Sequence, residues 1–248
     1  MIRVKDLYKS FGDQQVLKGV NLEMAAGKIT TIVGTSGCGK TVLLKHLNAL
    51  LLPNNGEVFV DGVDITKLRE KELYKMRERF GVLFQAAALL DSMTIFDNIA
   101  FPLREKTELN ETQIRKKVED SLEQVGLEGM GYKLPGELSG GMKKRAGLAR
   151  ALVIDPEIVL FDEPTTGLDP VLATGIHQLI ARTQKTFGFT GIVVSHTIPQ
   201  VFEISDYVAM LANGVIEEIS TPSEFQASKN PAVQQFIKGE TEGPIQVL

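Results

Sequence analysis

The stretch "GTSGCGKT", residues 34–41, decides how the rest of the chain is interpreted. It has the form G-x-x-x-x-G-K-[ST], follows the β-type run "KITTIV" and opens a helical segment, which is the setting of a phosphate-binding loop. Its glycines let main-chain N–H groups curl around phosphates, and the helix N-terminus adds partial positive charge. The pattern predicts that Lys40 reaches the β- and γ-phosphates of a nucleotide and that the Thr41 hydroxyl ligates Mg²⁺. The alternative is a glycine-rich turn without a ligand. The predicted nucleotide contacts in this loop are Gly34, Thr35, Ser36, Gly37, Cys38, Gly39, Lys40 and Thr41.

Composition and charge bound the class of protein. The 248 residues are 43% hydrophobic and 23% charged, as in ordinary globular proteins, and the net charge of −4 provides no field that favours nucleic acid. Cys38, the only cysteine, fits a reducing compartment. The N-terminus does not resemble a signal peptide, and no apolar run approaches the ~20 residues that span a bilayer. Any membrane role is therefore expected to run through a partner.

The order of apolar and charged segments predicts an α/β fold with an inserted helical part. "EIVLFDEP" and "TGIVVSH" are apolar without alternation, as expected of parallel strands buried on both faces. Shorter β-type runs open the chain and predict an antiparallel portion. We predict an ATP-binding core over residues 1–85 and 156–220, a helical subdomain over 86–155, and a C-terminal helical segment and tail over 221–248. The polar tail from Gly239 to Leu248 is predicted to be loosely held.

Two acidic residues at a strand end could complete a phosphate site. A phosphate-binding loop of this kind needs a second Mg²⁺ partner and a group that activates water, and Asp162 and Glu163 in "IVLFDEP" could supply them. The alternative is an acidic helix cap before Pro164. His196 and Gln85 also end apolar runs and could contact the γ-phosphate and the metal or water. A lone histidine or glutamine at a strand end is more often structural.

A second anion-binding turn is predicted at "ELSGGMKKR", residues 137–145. Ser139 is a favourable N-cap whose hydroxyl could reach a γ-phosphate. The helix that follows has an apolar stripe, with Lys143, Lys144 and Arg150 predicted to lie off it. A simple capped helix explains the same residues. The stripe consists of Met142, Ala146, Ala149 and Val153.

These motifs, in this order, resemble those of the ATP-binding-cassette (ABC) ATPases. The resemblance covers about residues 1–220 and implies a P-loop NTPase (RecA-like) core with an antiparallel β subdomain and an inserted α-helical subdomain. It also implies ATP hydrolysis with Mg²⁺ in a head-to-tail homodimer, where each ATP lies between one P-loop and the other subunit's signature. The resemblance implies that Phe11 stacks on adenine, although the alternative is an ordinary strand aromatic. It implies that Gln85 is the Q-loop residue and a metal contact, that Asp162 is a second metal contact, and that Glu163 catalyses the attack of water. It also implies that Ser139, Gly140 and Gly141 form the signature, that Asp169 lies at the dimer seam and that His196 is the switch residue.

Two residues depart from the usual family pattern. Met142 stands where a glutamine is usual, which puts any polar contact from that side chain in doubt, and Thr41 stands where serine is usual but keeps the hydroxyl. A soluble ABC mechanoenzyme acting on DNA or ribosomes is disfavoured, because long coiled-coil insertions, zinc modules and a second cassette are not visible. A module that does not hydrolyse ATP is disfavoured by the presence of Lys40, Asp162, Glu163 and His196.

The stretch "FQAAALLDSMTIFDNIAFPLRE", residues 84–105, indicates which kind of transporter is served. It is similar to the corresponding segment of MlaF-type ATPases of Mla/Mce phospholipid transport systems, as is "LSGGMKKRAGLARAL". This resemblance implies an MlaE-like permease, an Mce-domain lipid-binding protein, and a place on the cytoplasmic face of the inner membrane. The alternatives are a generic surface of the helical subdomain and an importer cassette for a polar solute such as an amino acid.

Overall fold

The computed structural model describes residues 1–245. The strands, in chain order, are β1 (Ile2–Phe11), β2 (Gln14–Met24), β3 (Ile29–Val33), β4 (Asn55–Val60), β5 (Val63–Asp64), β6 (Phe80–Leu83), β7 (Ile158–Asp162), β8 (Thr190–Ser195), β9 (Tyr207–Ala212) and β10 (Val215–Ser220). The α-helices are α1 (Lys40–Leu47), α2 (Glu70–Arg77), α3 (Ile95–Lys106), α4 (Glu111–Gln124), α5 (Gly140–Leu152), α6 (Pro170–Phe187), α7 (Pro222–Gln226) and α8 (Pro231–Lys238).

The chain forms two compact units, of which the first holds residues 1–77 and the described part of 190–248. Its front is an antiparallel sheet with strand order β2-β1-β4-β5. Buried residues in β1 and β2 largely alternate with exposed ones, as expected of a sheet with one face on the core. The predicted antiparallel portion is therefore confirmed.

The first unit also contains a parallel group of strands. β3 lies between β8 and β9 and runs parallel to both, while β10 pairs antiparallel with β9. Every residue of β3 and β8 is buried, which explains why "TGIVVSH" shows no alternation of apolar and polar residues. In β3 the buried residues include Thr30 and Thr31. The carboxyl end of β3 leads into residues 34–39 and then α1, so this strand positions the phosphate-binding loop.

The second unit, residues 78–189, joins a pair of parallel strands to four helices. β6 runs parallel to β7, and α3 and α4 both pack against α5. Helix α4 begins with a capping box made by Asn110 and Gln113 and buries Ile114, Val118 and Leu122 on one face. The α/β class with a helical insertion is confirmed. The proposed subdomain of residues 86–155 lies within this unit, and its boundaries remain a prediction.

The C-terminal residues differ from expectation. The tail was predicted to be loosely held, but Gln235 on α8 donates to the carbonyl oxygen of Ile245 at 3.1 Å and accepts from its N–H at 2.8 Å. Ile245 is buried, and Asn213 donates to the carbonyl oxygen of Pro244 at 3.2 Å. The segment 239–245 is therefore held by Pro244 and Ile245 against other residues of the first unit. Residues 246–248 lie outside the described part. Across residues 1–245, no helix has the length and apolar character needed to cross a bilayer.

Candidate active site

The phosphate-binding loop lies in the first unit and needs glycine at its entrance. A Cβ atom built on Gly34 would lie 2.2 Å from the carbonyl oxygen of Leu211, a distance that no side chain tolerates. Gly39 has a φ of 105° at the N-cap of α1, a left-handed conformation that favours glycine. The pattern of glycines in the sequence therefore reflects close packing at one end of the loop and a backbone requirement at the other.

Lys40 is buried inside this loop. Its Nζ donates to the carbonyl oxygens of Gly34 and Thr35, both at 2.9 Å. Thr41 and Cys38 are half-buried, whereas Ser36 and Gly37 are exposed at the rim. The ammonium group of Lys40 is therefore bound by carbonyl oxygens of its own loop. A phosphate group that enters the loop would compete with the carbonyl oxygens of Gly34 and Thr35 for this ammonium group.

Two other predicted residues belong to the first unit. Phe11 ends β1 with 48% of its surface exposed, so a ring face is accessible to a planar ligand. Lys9 Nζ lies 5.3 Å from the centroid of that ring, a cation–π contact on the same strand. His196 follows β8 directly and is exposed.

The acidic pair lies in the second unit at the end of a fully buried strand. Asp162 ends β7, and both Asp162 and Glu163 are buried, at 7% and 8% exposure. Glu163 has a φ of 49°, a left-handed conformation that costs on the order of 1–3 kcal/mol and tends to occur at functional sites. Thr166 Oγ1 donates to Glu163 Oε2 at 3.2 Å. The carboxylate of Glu163 is therefore oriented by a hydroxyl that sequence reasoning did not identify.

The signature turn has the capped geometry that the sequence predicts. Ser139 is the N-cap of α5, and its Oγ accepts from the N–H of Met142 at 3.3 Å. Ser139 and Gly140 are exposed, whereas Gly141 is buried. No acidic residue occurs in the first turn of α5, so the positive end of this helix is exposed without a neutralising carboxylate on that turn.

Asp169 plays the same capping role for α6. Its Oδ1 accepts from the N–H groups of Val171 and Leu172, both at 3.0 Å. The first turn of α6 exposes apolar side chains, with Val171 at 80% and Leu172 at 44% exposure. An apolar surface of this kind beside a capped helix start is suited to contact with another protein surface.

Lys144 is where the structure corrects the sequence interpretation of α5. Predicted to lie off the apolar face, it is buried at 6% exposure. Its Nζ donates to the carbonyl oxygen of Gln85 and, at 3.4 Å, to that of Glu163. Burial lowers the pKa of this ammonium group, and the nearby carboxylates of Glu163 and Asp162 oppose that shift. The periodicity of a helix could not reveal the contact, because both acceptors are main-chain atoms far away in sequence.

The predicted site residues divide between the two units. The first unit holds Phe11, residues 34–41 and His196. The second holds Gln85, Ser139, Gly140, Gly141, Asp162, Glu163 and Asp169. Gln85 lies just beyond β6 with an exposed side chain, while its main-chain carbonyl is held by Lys144.

The sequence model of the ABC transporter family matches residues 17–166 of the chain. The "Intermembrane phospholipid transport system ATP-binding protein MlaF" of Haemophilus influenzae is 45% identical over 99% of this chain and 93% of its own length. A "Probable ribonucleotide transport ATP-binding protein mkl" of Mycobacterium leprae is also 45% identical, over 98% of this chain and 70% of its own length.

A solved structure agrees with the fold. The dimeric ATP-binding cassette MJ0796, bound to ADP and Pi in a post-hydrolysis state, matches with a TM-score of 0.82 and 31% identity. The match covers 90% of this chain and 99% of that one. The chain therefore shares its fold with this ATP-binding cassette.

Proposed function

Because the chain belongs to the ABC transporter family, as one of its ATP-hydrolysing cassettes, we propose that it powers phospholipid transport of the Mla/Mce type between the inner and outer membranes. The observation that carries this proposal is the similarity to MlaF along almost the whole of both chains. The segment 84–105, where a permease is expected to bind, lies within that matched length. Hydrolysis of ATP to ADP and phosphate is the reaction of the family.

We assign phosphate binding to residues 34–41 and adenine stacking to Phe11. Lys40 would exchange its bonds to the carbonyls of Gly34 and Thr35 for bonds to the β- and γ-phosphates. The exposed ring of Phe11 offers the planar surface that adenine requires. His196, exposed at the end of β8, would contact the γ-phosphate.

Glu163 is assigned as the residue that orients or deprotonates the attacking water. Its buried position excludes bulk water from the carboxylate, and the hydroxyl of Thr166 fixes one of its oxygens. Gln85 would contribute an uncharged amide to the water or the metal. Because phosphoryl transfer depends mainly on positioning and electrostatic stabilisation, these residues act by holding groups in place.

Mg²⁺ is proposed as the cofactor that accompanies ATP. This ion takes oxygen ligands and is commonly held by one or two carboxylates together with substrate phosphates. We propose the hydroxyl of Thr41, the carboxylate of Asp162 and the amide oxygen of Gln85 as its ligands, because each offers an oxygen of that kind. The ion would neutralise charge on the phosphates when bound. The protein's part is to present these oxygens from a helix start, a strand end and the loop after β6.

A head-to-tail homodimer is proposed as the active form. The exposed Ser139 and Gly140 at the start of α5 would then contact the nucleotide bound by the partner, and Asp169 would lie at the seam. The exposed Val171 and Leu172 supply apolar surface next to that seam. This arrangement explains why one chain carries two anion-binding turns.

An integral membrane permease of the MlaE type is proposed as the main partner, with an Mce-domain lipid-binding protein in the same complex. The second unit has a groove of about 330 Å³ on residues from β6, α3 and α5, and its lining includes Phe84, Leu90, Phe101 and Pro102. Phe84, Leu90 and Phe101 are exposed large apolar side chains, and all of them belong to segment 84–105. A short amphipathic helix from a permease fits such a groove. The chain would then lie on the cytoplasmic face of the inner membrane.

A polar cargo is the second candidate, because the mycobacterial relative named for ribonucleotide transport is as similar in identity as MlaF. A phospholipid cargo and a polar cargo require different partner proteins, and the two can be distinguished by which molecule is transported. A soluble non-transport ABC ATPase remains the third and weaker alternative, and it predicts no stable association with a permease.

The test begins with the tagged chain purified from native membranes in mild detergent, with partners identified by mass spectrometry. We expect a permease, an Mce-domain protein and co-extracted phospholipid. After reconstitution, the complex should move a fluorescent phospholipid in an ATP-dependent manner, and Glu163→Gln should stop it. ATP-dependent movement of a ribonucleotide or an amino acid, with no movement of phospholipid, would contradict the proposal.

The docking groove is tested in the same preparation. Phe101→Arg replaces an exposed apolar side chain of the lining with a charged one and should reduce permease recovery. Phe187→Arg is the matched control, because Phe187 is exposed to a similar extent, 38% against 43%, and lies outside the groove lining. Equal recovery of the permease with both variants would place the permease contact elsewhere.

A further inference from the structure

Lys144 is bonded to two segments of the second unit that carry proposed roles in hydrolysis. Its ammonium group donates to the carbonyl oxygen of Gln85 in the loop after β6 and to that of Glu163 after β7, the latter at 3.4 Å. It does so from the second turn of α5, the helix whose first turn presents Ser139. One side chain therefore connects the signature helix with the Q-loop and with the residue proposed to activate water.

The burial of this lysine indicates that the connection is tightly specified. A lysine ammonium is rarely buried, because the loss of hydration must be offset by hydrogen bonds or opposite charge. Here main-chain carbonyls provide the hydrogen bonds, and the carboxylates of Glu163 and Asp162 favour the charged form. A residue that only filled space at this position would not require a charge.

Elsewhere on α5, Arg150 bonds to the same loop, and Gly147 lets the helix pack closely against the end of β6. Arg150 donates from Nη2 to the carbonyl of Ala87 at 3.0 Å and from Nη1 to that of Ala88 at 2.6 Å. Both alanines are in the left-handed region, with φ of 59° and 50°. A Cβ atom on Gly147 would lie 2.8 Å from Leu83 Cδ1, so the absence of a side chain lets the helix approach the end of β6. Residues 85–88 are thereby fixed to α5 at several points.

We infer that Lys144 is a positioning residue for ATP hydrolysis, which keeps the main chain of Gln85 and Glu163 at a fixed distance from the signature helix. The inference rests on the proposed roles of Gln85, Glu163 and Ser139. A displacement of the loop at 85–88, where the permease-facing segment begins, is passed to Glu163 through this ammonium group. Arg150 anchors the loop, whereas Lys144 alone among the described residues of α5 donates to both the loop and Glu163.

The experiment compares Lys144→Met, Lys144→Arg and Lys116→Met in the assembled transporter. Methionine has a similar length but donates no hydrogen bond, whereas arginine restores a charged donor. Lys116 is an exposed lysine of α4 in the same unit and receives the same substitution as a control. The measurements are kcat and KM for ATP, the affinity for a fluorescent ATP analogue, and the midpoint of thermal unfolding.

We expect Lys144→Met to lower kcat by about tenfold to a hundredfold, because misplacement of a reacting group by about 1 Å has effects of that order. Its KM and nucleotide affinity should stay within about twofold of wild type, since the phosphate contacts come from residues 34–41. Lys144→Arg should recover most of kcat, and Lys116→Met should behave as wild type. A purely structural role would instead lower the thermal midpoint without this split between kcat and KM.

Wild-type kcat in Lys144→Met overturns the inference, as does a loss of kcat that arginine does not restore. If Lys144→Met does not fold, Lys144→Leu, which is shorter and also donates no hydrogen bond, takes its place, and wild-type kcat in that variant overturns the inference equally. Glu163→Gln is measured in parallel. If Glu163→Gln is inactive while Lys144→Met is fully active, only the positioning role fails. If Glu163→Gln hydrolyses ATP at the wild-type rate, the proposed function of Glu163 itself fails.

Discussion

Lys40 and Gly34, at opposite ends of the phosphate-binding loop, are joined by a hydrogen bond of 2.9 Å from the ammonium nitrogen to the main-chain carbonyl oxygen. The same nitrogen donates to the carbonyl oxygen of Thr35 at 2.9 Å. Lys40 therefore has a structural partner in the loop as well as a proposed partner in the nucleotide. Binding of ATP must exchange one set of acceptors for the other, which makes the lysine sensitive to substitution.

The first prediction is that Lys40→Ala weakens ATP binding. Hydrogen bonds to charged groups contribute about 1.5–3 kcal/mol each, so the loss of the phosphate contact should reduce affinity by roughly tenfold to a hundredfold. The affinity for a fluorescent ATP analogue provides the measurement. Lys45→Ala is the control, because Lys45 is exposed on the same helix and is not assigned to the site. Equal affinities in the two variants would remove Lys40 from the phosphate site.

The second prediction concerns Cys38, which is half-buried in the same loop. Its sulfur lies 2.8 Å from the position that a Cβ atom of Gly34 would occupy, so the thiol packs against the start of the loop in which the phosphates are proposed to bind. With ATP at about ten times its Kd, roughly nine sites in ten are occupied, and maleimide labelling should slow about tenfold. Labelling is followed by mass spectrometry, with Cys38→Ser as the control for specificity.

A labelling rate that is the same with and without saturating Mg-ATP would show that bound nucleotide does not cover the thiol. The Lys40→Ala variant sharpens the comparison. Its thiol should be labelled at a similar rate without nucleotide but protected less at the same ATP concentration. Strong protection in Lys40→Ala would contradict the first prediction as well, because it would require tight binding without the lysine.

The phosphate-binding loop could be predicted from the sequence because each of its requirements fixes a residue type within one short stretch. The approach of Gly34 to Leu211 is a long-range contact, but the glycine that it requires is visible in the sequence, and the lysine follows at a fixed spacing. The acidic pair was visible for a similar reason, since Asp162 and Glu163 end an unbroken apolar run. Parallel strands that are buried on both faces have unbroken apolar sequences, so the parallel core of the fold could be predicted from the same runs.

The contacts of Lys144 and Ile245 could not be predicted, because their partners carry no signal in residue type. Lys144 donates to main-chain carbonyls, which every residue possesses, and its position off the apolar stripe suggested exposure. Ile245 follows a polar stretch typical of a loose tail, yet the amide of Gln235 satisfies both its N–H and its C=O. Long-range contacts with the main chain require the structure.

The third prediction is a destabilisation in mild acid caused by His177 on α6. This histidine is 2% exposed, and neither ring nitrogen has a hydrogen-bond partner among residues 1–245. Burial lowers its pKa to about 4, whereas the unfolded chain takes up the proton near the ordinary value of 6.5. As the pH falls below that value, the unfolded state therefore binds the extra proton, and stability is lost.

His177 is expected to contribute a loss of about 2 kcal/mol of unfolding free energy between pH ~7.5 and pH ~5, measured by urea denaturation as the difference from His177→Leu. His177→Leu should be less sensitive over that range. It should also be more stable at neutral pH, because two unsatisfied buried nitrogens are removed. The ordinary carboxylate pKa values lie below about pH 5, so carboxylates contribute little difference in this window. An identical pH dependence in wild type and His177→Leu would exclude His177 as the cause.

The fourth prediction tests whether Ser139 serves the nucleotide of the partner. Ser139 is exposed at the start of α5 in one unit, and Lys40 is buried in the other unit. In a head-to-tail dimer each composite site needs Lys40 from one protomer and Ser139 from its partner. Ser139→Arg adds bulk where a small hydroxyl is proposed to approach phosphate. This substitution should therefore disable the composite site to which that Ser139 belongs.

Two heterodimers distinguish whether Ser139 contacts the nucleotide of the partner or that of its own chain. Each heterodimer is isolated with two affinity tags. In the split pair, Lys40→Ala in one protomer faces Ser139→Arg in the other, so both defects fall on one composite site and the second site is intact. In the other pair, both substitutions are in one protomer beside a wild-type partner, and each composite site is damaged once. Nucleotide occluded per dimer after vanadate trapping is the measurement, because total turnover would be lost in both if the sites must act together. We expect more occlusion in the split pair. The reverse ranking would mean that Ser139 serves the nucleotide of its own chain, and the proposed dimer would then have to be abandoned.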